Sequence, residues 1–146
     1  MMISRLNPTE TVETILDIDF EDLSSLGRQV LLFDFDGTLA KKGSRVMPAA
    51  SSKLLADLAA NGFRIGILTN RRARKLISGL SFPIIYAAHK PWRAGYLAML
   101  EKLSAEPKQA VMIGDRYITD ALGANCLGIH TIRVRSCDLE QEKNRP

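Results

Sequence analysis

The chain has 146 residues, 46% of them apolar and 25% charged, with a formal net charge of +4. That length and composition fit one globular domain with a sizeable core and exclude a disordered or low-complexity chain. No stretch approaches the roughly 20 apolar residues that cross a bilayer, and the first ten residues lack the apolar core of a signal peptide. Cys126 and Cys137 are too few for a disulfide framework and lack metal-ligand spacing, so a reduced, cytoplasmic protein is expected.

In chain order, residues 1–26 read as a packing segment. Ile15, Ile18, Phe20, Leu23 and Leu26 stand among acids, and Asp17 and Asp19 read as its solvated flank. Any of these apolar residues left exposed would suit docking on a membrane or a partner. Gln29–Phe35 is an apolar run rich in Val, Leu and Phe, the pattern of a buried strand. Pro48 opens a helix with Leu54, Leu55 and Leu58 on one face, closed by Asn61-Gly62. "FRIGILT" is a second strand, and a basic helix is expected from Arg71 to about Ser78. "PIIYAA" is a third strand. Pro91 starts a helix with Tyr96, Leu97, Leu100 and Leu103 at core spacing. "AVMIGD" is a fourth strand, Thr119–Leu127 a short helix and "HTIRVR" a fifth strand. The tail from Asp138 is polar and expected to fray.

Strand and helix alternating over short links predict an α/β fold with a parallel sheet. Ligands of such sheets bind beyond the carboxyl ends of the strands. Asp34, Asp36, Thr69, Lys90 and Asp115 all fall at or just past those ends.

The pair Asp34 and Asp36, at the close of an apolar strand and followed by Gly37-Thr38, suits phosphoryl transfer. A carboxylate can attack phosphorus and form an aspartyl-phosphate, which splits one hard displacement into two easier ones. Attack on an anionic phosphoryl group calls for Mg²⁺, which takes oxygen ligands, so Asp34 can serve as nucleophile and ligand together. Asp36 can protonate the leaving oxygen and then deprotonate water. Gly37 allows a tight turn and Thr38 can begin a cap.

Four motifs in order, Asp34-Phe35-Asp36-Gly37-Thr38, then Thr69, then Lys90, then Gly114-Asp115 with Asp120, resemble those of the haloacid dehalogenase (HAD) superfamily of phosphatases. The resemblance implies a three-layer Rossmann-like fold around a central parallel sheet of about five strands, with helices on both faces. It implies Asp34 as nucleophile, Asp36 as general acid/base, Thr69 hydrogen-bonding the phosphoryl group and Lys90 neutralising both Asp34 and the transferred phosphoryl. Asp115 would complete the metal site with Asp34 and the Asp36 main-chain carbonyl, supported by Asp120. Asn70, Arg71 and Arg116, which adjoin these motifs, join Thr69 and Lys90 in the expected phosphate-binding set. Only 32 residues separate Asp36 from Thr69 and only 20 separate Thr69 from Lys90, too few for a cap domain. Without a cap the site should be open, which in this superfamily accompanies large or surface-bound substrates.

Ten of the 20 basic residues lie in segments that start at the catalytic end of the sheet: Lys41, Lys42, Arg45, Arg71, Arg72, Arg74, Lys75, Lys90, Arg93 and Arg116. Cations in the first turn of a helix oppose its macrodipole, so Arg71 and Arg72 suggest an anion nearby. A basic, uncapped site fits a polyanion or an anionic lipid at a membrane surface. From Leu6 to Val134 the chain also resembles the small capless HAD branch that includes phosphatidylglycerophosphate phosphatases, although Asn is more usual there at the position of Gly37. The expected activity is removal of the terminal phosphate of phosphatidylglycerophosphate. The alternatives are a nucleotide or nucleic-acid end phosphatase, for which no row of stacking aromatics is present, and a receiver-like or non-catalytic phosphate-binding module. Trp92 and Cys126 read as packing residues, with contact to a lipid or a base the other reading of Trp92.

Overall fold

The computed structural model describes residues 8–116 and 122–139. Six strands form one sheet: β1 (Glu10–Val12), β2 (Val30–Phe33), β3 (Arg64–Leu68), β4 (Ile84–Ile85), β5 (Ala110–Gly114) and β6 (His130–Val134). Their spatial order is β1-β6-β5-β2-β3-β4, and every pairing is parallel.

The apolar runs form strands buried on both faces, and their side chains alternate. Leu31 and Phe33 of β2, Ile65 and Ile67 of β3, and Val111 and Ile113 of β5 enter one core. Val30, Leu32, Leu68, Ala110 and Met112 enter the other. Helix α1 (Phe20–Ser25) brings Leu23 to the first core, and α2 (Ala49–Ala60) brings Leu55 and Leu58. Helix α3 (Arg93–Lys102) covers the second face with Tyr96, Met99 and Leu100, joined by Ala124 of α4 (Gly123–Cys126). The result is the expected three-layer α/β fold. Met99 packs so close to β3 that any Cβ at Gly66 would overlap its thioether, which lets α3 lie directly on the sheet.

The sheet has six strands, one more than expected. The addition comes from the N-terminal segment, where Glu10–Val12 pairs with Ile132–Val134 at the sheet edge. Beyond it Asp17 forms a capping box with Thr14, and Asp19 caps α1 through the Asp22 amide. Ile15, Ile18 and Leu23 are buried, and among the described residues of this segment Leu16 and Leu26 are the large apolar ones left exposed. The described part of the segment builds the core through Ile15, Ile18 and Leu23.

Four local expectations are corrected. Arg71–Ser78 is not a helix: it runs as turns that end in a bridge between Val46 and Ser78. Like charges at Arg71/Arg74, Arg71/Lys75 and Arg72/Lys75 repel at helical spacing, and only Ile77 in the segment is a buried apolar side chain. The macrodipole argument for Arg71 and Arg72 therefore falls away. In α3 the core position belongs to Met99, and Leu97 is exposed. Cys126 is exposed rather than packed. Leu139 still belongs to the core, so the polar tail starts after it.

Between Asp36 and Thr69 the chain holds a loop, α2 and β3, and between Thr69 and Lys90 it holds a loop and the two residues of β4. Nothing roofs the carboxyl end of the sheet from these segments.

Candidate active site

Strand β2 lies inside the sheet between β5 and β3, so its carboxyl end opens at the middle of the molecule. The Asp34 amide still donates to Ile113 O at 2.9 Å, which fixes Asp34 to the ladder. The chain then turns sharply. Phe35 O accepts from the amides of Thr38, Leu39 and Ala40, and Gly37 takes φ +79°. Phe35 itself is fully buried and anchors the turn.

Lys90 reaches Asp34 from the far edge of the sheet. Its Nζ donates to Asp34 Oδ1 at 3.0 Å, with the two side chains only 2% and 10% exposed. Removing one partner of a pair this buried costs about 3–5 kcal/mol, because the other is left charged and unpaired. The route from β4 to Lys90 is strained: Ala87 and His89 have φ +48° and +57°, in the left-handed region. Asn70 holds that route in place. Its Oδ1 accepts from the Lys90 amide at 2.7 Å and its Nδ2 donates to Lys90 O at 3.1 Å. The carboxamide is thus engaged with the backbone of the lysine.

Asp36 points to a different cation. Arg71 grips it with two bonds, Nη2 to Oδ1 at 2.5 Å and Nε to Oδ2 at 3.3 Å, while the Gly43 amide donates to Oδ1 at 2.8 Å. The Arg71 guanidinium lies 5.1 Å from the centre of the Phe35 ring and its side chain is 5% exposed. Thr69 is buried, and its Oγ1 accepts from the Arg71 amide at 3.0 Å.

Asp115 follows β5 and packs against the turn after β2. A Cβ at Gly37 would overlap its carboxylate, so glycine is what lets Asp115 come this close. Asp115 Oδ1 is buried and has no hydrogen-bond partner among the described residues. A buried carboxylate oxygen without a donor is costly unless a cation meets it, and this fits a metal held between Asp34 and Asp115. Among the described residues no three His, Cys, Asp or Glu side chains converge as a ready-made metal cluster. Main-chain oxygen and water would then fill the shell, as suits Mg²⁺. Asp120, the fourth expected metal-site residue, lies outside the described residues.

Asp115 aside, the polar side chains making these contacts open onto a cavity of about 620 Å³. Asp34, Asp36, Thr69, Asn70, Arg71, Lys90 and Arg116 border it, together with Lys42, Arg45, Arg72, Arg74 and Lys75. Eight of the ten cations assigned to the catalytic end of the sheet thus face one space. Lys41 and Arg93 do not. What the sequence did not reveal is the Asn70 clamp, the Arg71 grip on Asp36 and the Gly43 amide. Each joins residues far apart or uses main-chain atoms, and no local pattern marks them.

The chain is 30% identical over 133 residues to the probable phosphatase YqeG of Bacillus subtilis, covering 87% of this chain and 76% of that protein. A family model described as HAD-hydrolase-like matches residues 87–145. This protein belongs to the HAD superfamily of phosphatases. The HAD phosphatase is also 28% identical to a chloroplastic phosphatidylglycerophosphate phosphatase 1 of Chlamydomonas reinhardtii, over 83% of this chain and 49% of that one. In fold it is similar to a hypothetical protein of Xanthomonas campestris, with TM-score 0.60 at 18% identity, covering 92% of this chain and 80% of that one. A phosphorylated substrate is consistent with a phosphatase. No helix among the described residues is long and apolar enough to cross a membrane.

Proposed function

We propose that this HAD phosphatase hydrolyses phosphatidylglycerophosphate to phosphatidylglycerol at a membrane surface, with Mg²⁺ as cofactor. The observation that carries the reading is the uncapped cavity, where cations surround a carboxylate pair at the end of β2. Such a mouth admits a head group presented by a bilayer and favours its charge. The similarity to the algal enzyme named for this substrate points the same way.

The chemistry follows from the chain's own residues. Asp34, held by Lys90, attacks phosphorus; its oxygen forms the new P–O bond as the ester P–O bond breaks. Asp36 in its protonated form gives the leaving glycerol oxygen its proton. In the second step Asp36 takes a proton from water, water oxygen bonds to phosphorus, and the Asp34–phosphorus bond breaks to release phosphate. Thr69, Lys90 and Arg116 border the space for the phosphoryl oxygens, and Arg71 holds Asp36 in position between steps. Asn70 acts through Lys90 as a positioning residue. Mg²⁺ bound by Asp34, Asp115 and the Asp36 carbonyl, supported by Asp120, would neutralise charge on the phosphoryl group.

The test is phosphate release from phosphatidylglycerophosphate in mixed micelles, for wild type and Asp34→Asn, with Mg²⁺ and with chelator. Release that requires both Asp34 and Mg²⁺, and exceeds that from nucleotides and 3′-phosphorylated oligonucleotides, is the expected result. Faster turnover of the oligonucleotides would replace the lipid with a nucleic-acid end. Silence on every phosphomonoester would leave a phosphate-binding module.

A further inference from the structure

We propose that the rim of the active-site mouth is a docking face for an anionic bilayer, built from Val46, Leu76 and Trp92 set among the rim cations. The proposal deepens the lipid reading above and rests on it for the choice of substrate. Its evidence is separate: three large apolar side chains are exposed within two positions of residues that line the catalytic opening. Val46 is 58% exposed, Leu76 63% and Trp92 73%.

Backbone pairing places two of them together. Ser78 donates its amide to Arg45 O at 2.7 Å, and Met47 donates to Ser78 O at 3.1 Å, so the segments around Val46 and Leu76 run side by side. Each apolar residue sits within two positions of a residue that lines the cavity: Val46 beside Arg45, Leu76 beside Lys75, and Trp92 two past Lys90. Among the described residues the further exposed large apolar side chains are Leu16 at 42%, Leu97 at 40% and Leu26 at 62%, and Leu26 precedes the amino end of β2. Val46, Leu76 and Trp92 therefore lie in the segments that carry the positive charge at the cavity.

A bilayer matches this combination. Its anionic head groups meet Lys42, Arg45, Arg72, Arg74 and Lys75, and the acyl boundary just beneath takes up short apolar anchors. Tryptophan prefers that interfacial depth. Docked this way, the open cavity faces the membrane and a lipid head group reaches Asp34 without leaving the bilayer. A nucleic acid would use the cations but has little use for Val46 and Leu76, and a single aromatic does not make a stacking platform.

Trp92 is the only tryptophan in the chain, so its fluorescence reports on the rim directly. The experiment titrates the protein with vesicles of phosphatidylcholine alone and of phosphatidylcholine mixed with phosphatidylglycerol, including brominated acyl chains as quenchers. The expected result is a blue shift and quenching with the anionic vesicles, weakened by added salt. The double variant Val46→Ser with Leu76→Ser should lower vesicle affinity roughly tenfold, with unchanged hydrolysis of a soluble aryl phosphate. Both positions are exposed, so the fold should survive, and circular dichroism checks it. No shift with anionic vesicles would overturn the proposal, as would a shift undiminished in the double variant, or an oligonucleotide that displaces the protein from vesicles. A shift that is present while wild type hydrolyses no phosphomonoester would sink the catalytic reading and uphold the docking face.

Discussion

At the amino end of the sheet, Arg28 donates to Ala110 O at 2.9 Å and Pro107 O at 3.3 Å, and Arg64 donates to Leu103 O at 2.5 Å and Ser104 O at 2.9 Å. At the carboxyl end, Arg71 grips a carboxylate, while Arg45, Arg72 and Arg74 face an open cavity. The two ends use one residue type in opposite ways. Arginines tied to carbonyls close loops and hold the fold, and burial pushes the Arg28 guanidinium below its ordinary pKa without costing it its charge. Arginines turned to a cavity concentrate positive potential where an anion can enter. Counting basic residues cannot separate the two uses; the identity of the acceptor can.

Mutations at the two ends should therefore fail differently. The largest effect is expected from Asp34→Asn, which should lower phosphate release by about ten-thousandfold or more, since Asp34 is the proposed nucleophile. Steady-state release from an aryl phosphate measures it, and retention of near-wild-type turnover would remove Asp34 from the nucleophile's place. Next comes Gly37→Ala. Its methyl group would push against the Asp115 carboxylate, and a displacement of this size costs about a hundredfold in turnover. Mg²⁺ titration of the activity should show weaker metal use as well; an unchanged titration would separate Asp115 from the metal.

At the other end, Arg28→Ala should reduce stability by about 1–3 kcal/mol, because it strips donors from partly buried carbonyls. Thermal unfolding should show the loss while KM stays put, and a change in KM without a change in Tm would erase the distinction between the ends. The smallest effect on folding is expected from Arg72→Ala, within about 0.5 kcal/mol of wild type. Its signature is a several-fold rise in KM for anionic lipid that fades as salt screens the rim.

Much of this arrangement was legible in the chain. Apolar runs at Val30–Phe33, Arg64–Leu68 and Ala110–Gly114 became strands because only an interior place satisfies four or five consecutive apolar residues. Acids and a lysine just past such runs could be assigned to one edge by topology alone. Glu10–Val12 was harder: two exposed polar residues and one half-buried valine carry no strand pattern, and pairing with β6 supplies the order. For Arg71–Ser78 the reverse holds. A helix-like stretch was released from helicity by like-charge repulsion, and Arg71 found Asp36 instead.

By itself, the sequence determined the layered α/β class, the carboxylate pair and the absence of room for a cap, because periodicity and spacing are local properties of the chain. The resemblance implied that Lys90 neutralises Asp34. Only the tertiary structure showed the contact itself, across 56 positions, and decided that Asn70 fastens the lysine's backbone and that the segments of Val46 and Leu76 run side by side. Contacts of that kind depend on which loops the sheet order brings together, and no short-range pattern encodes them.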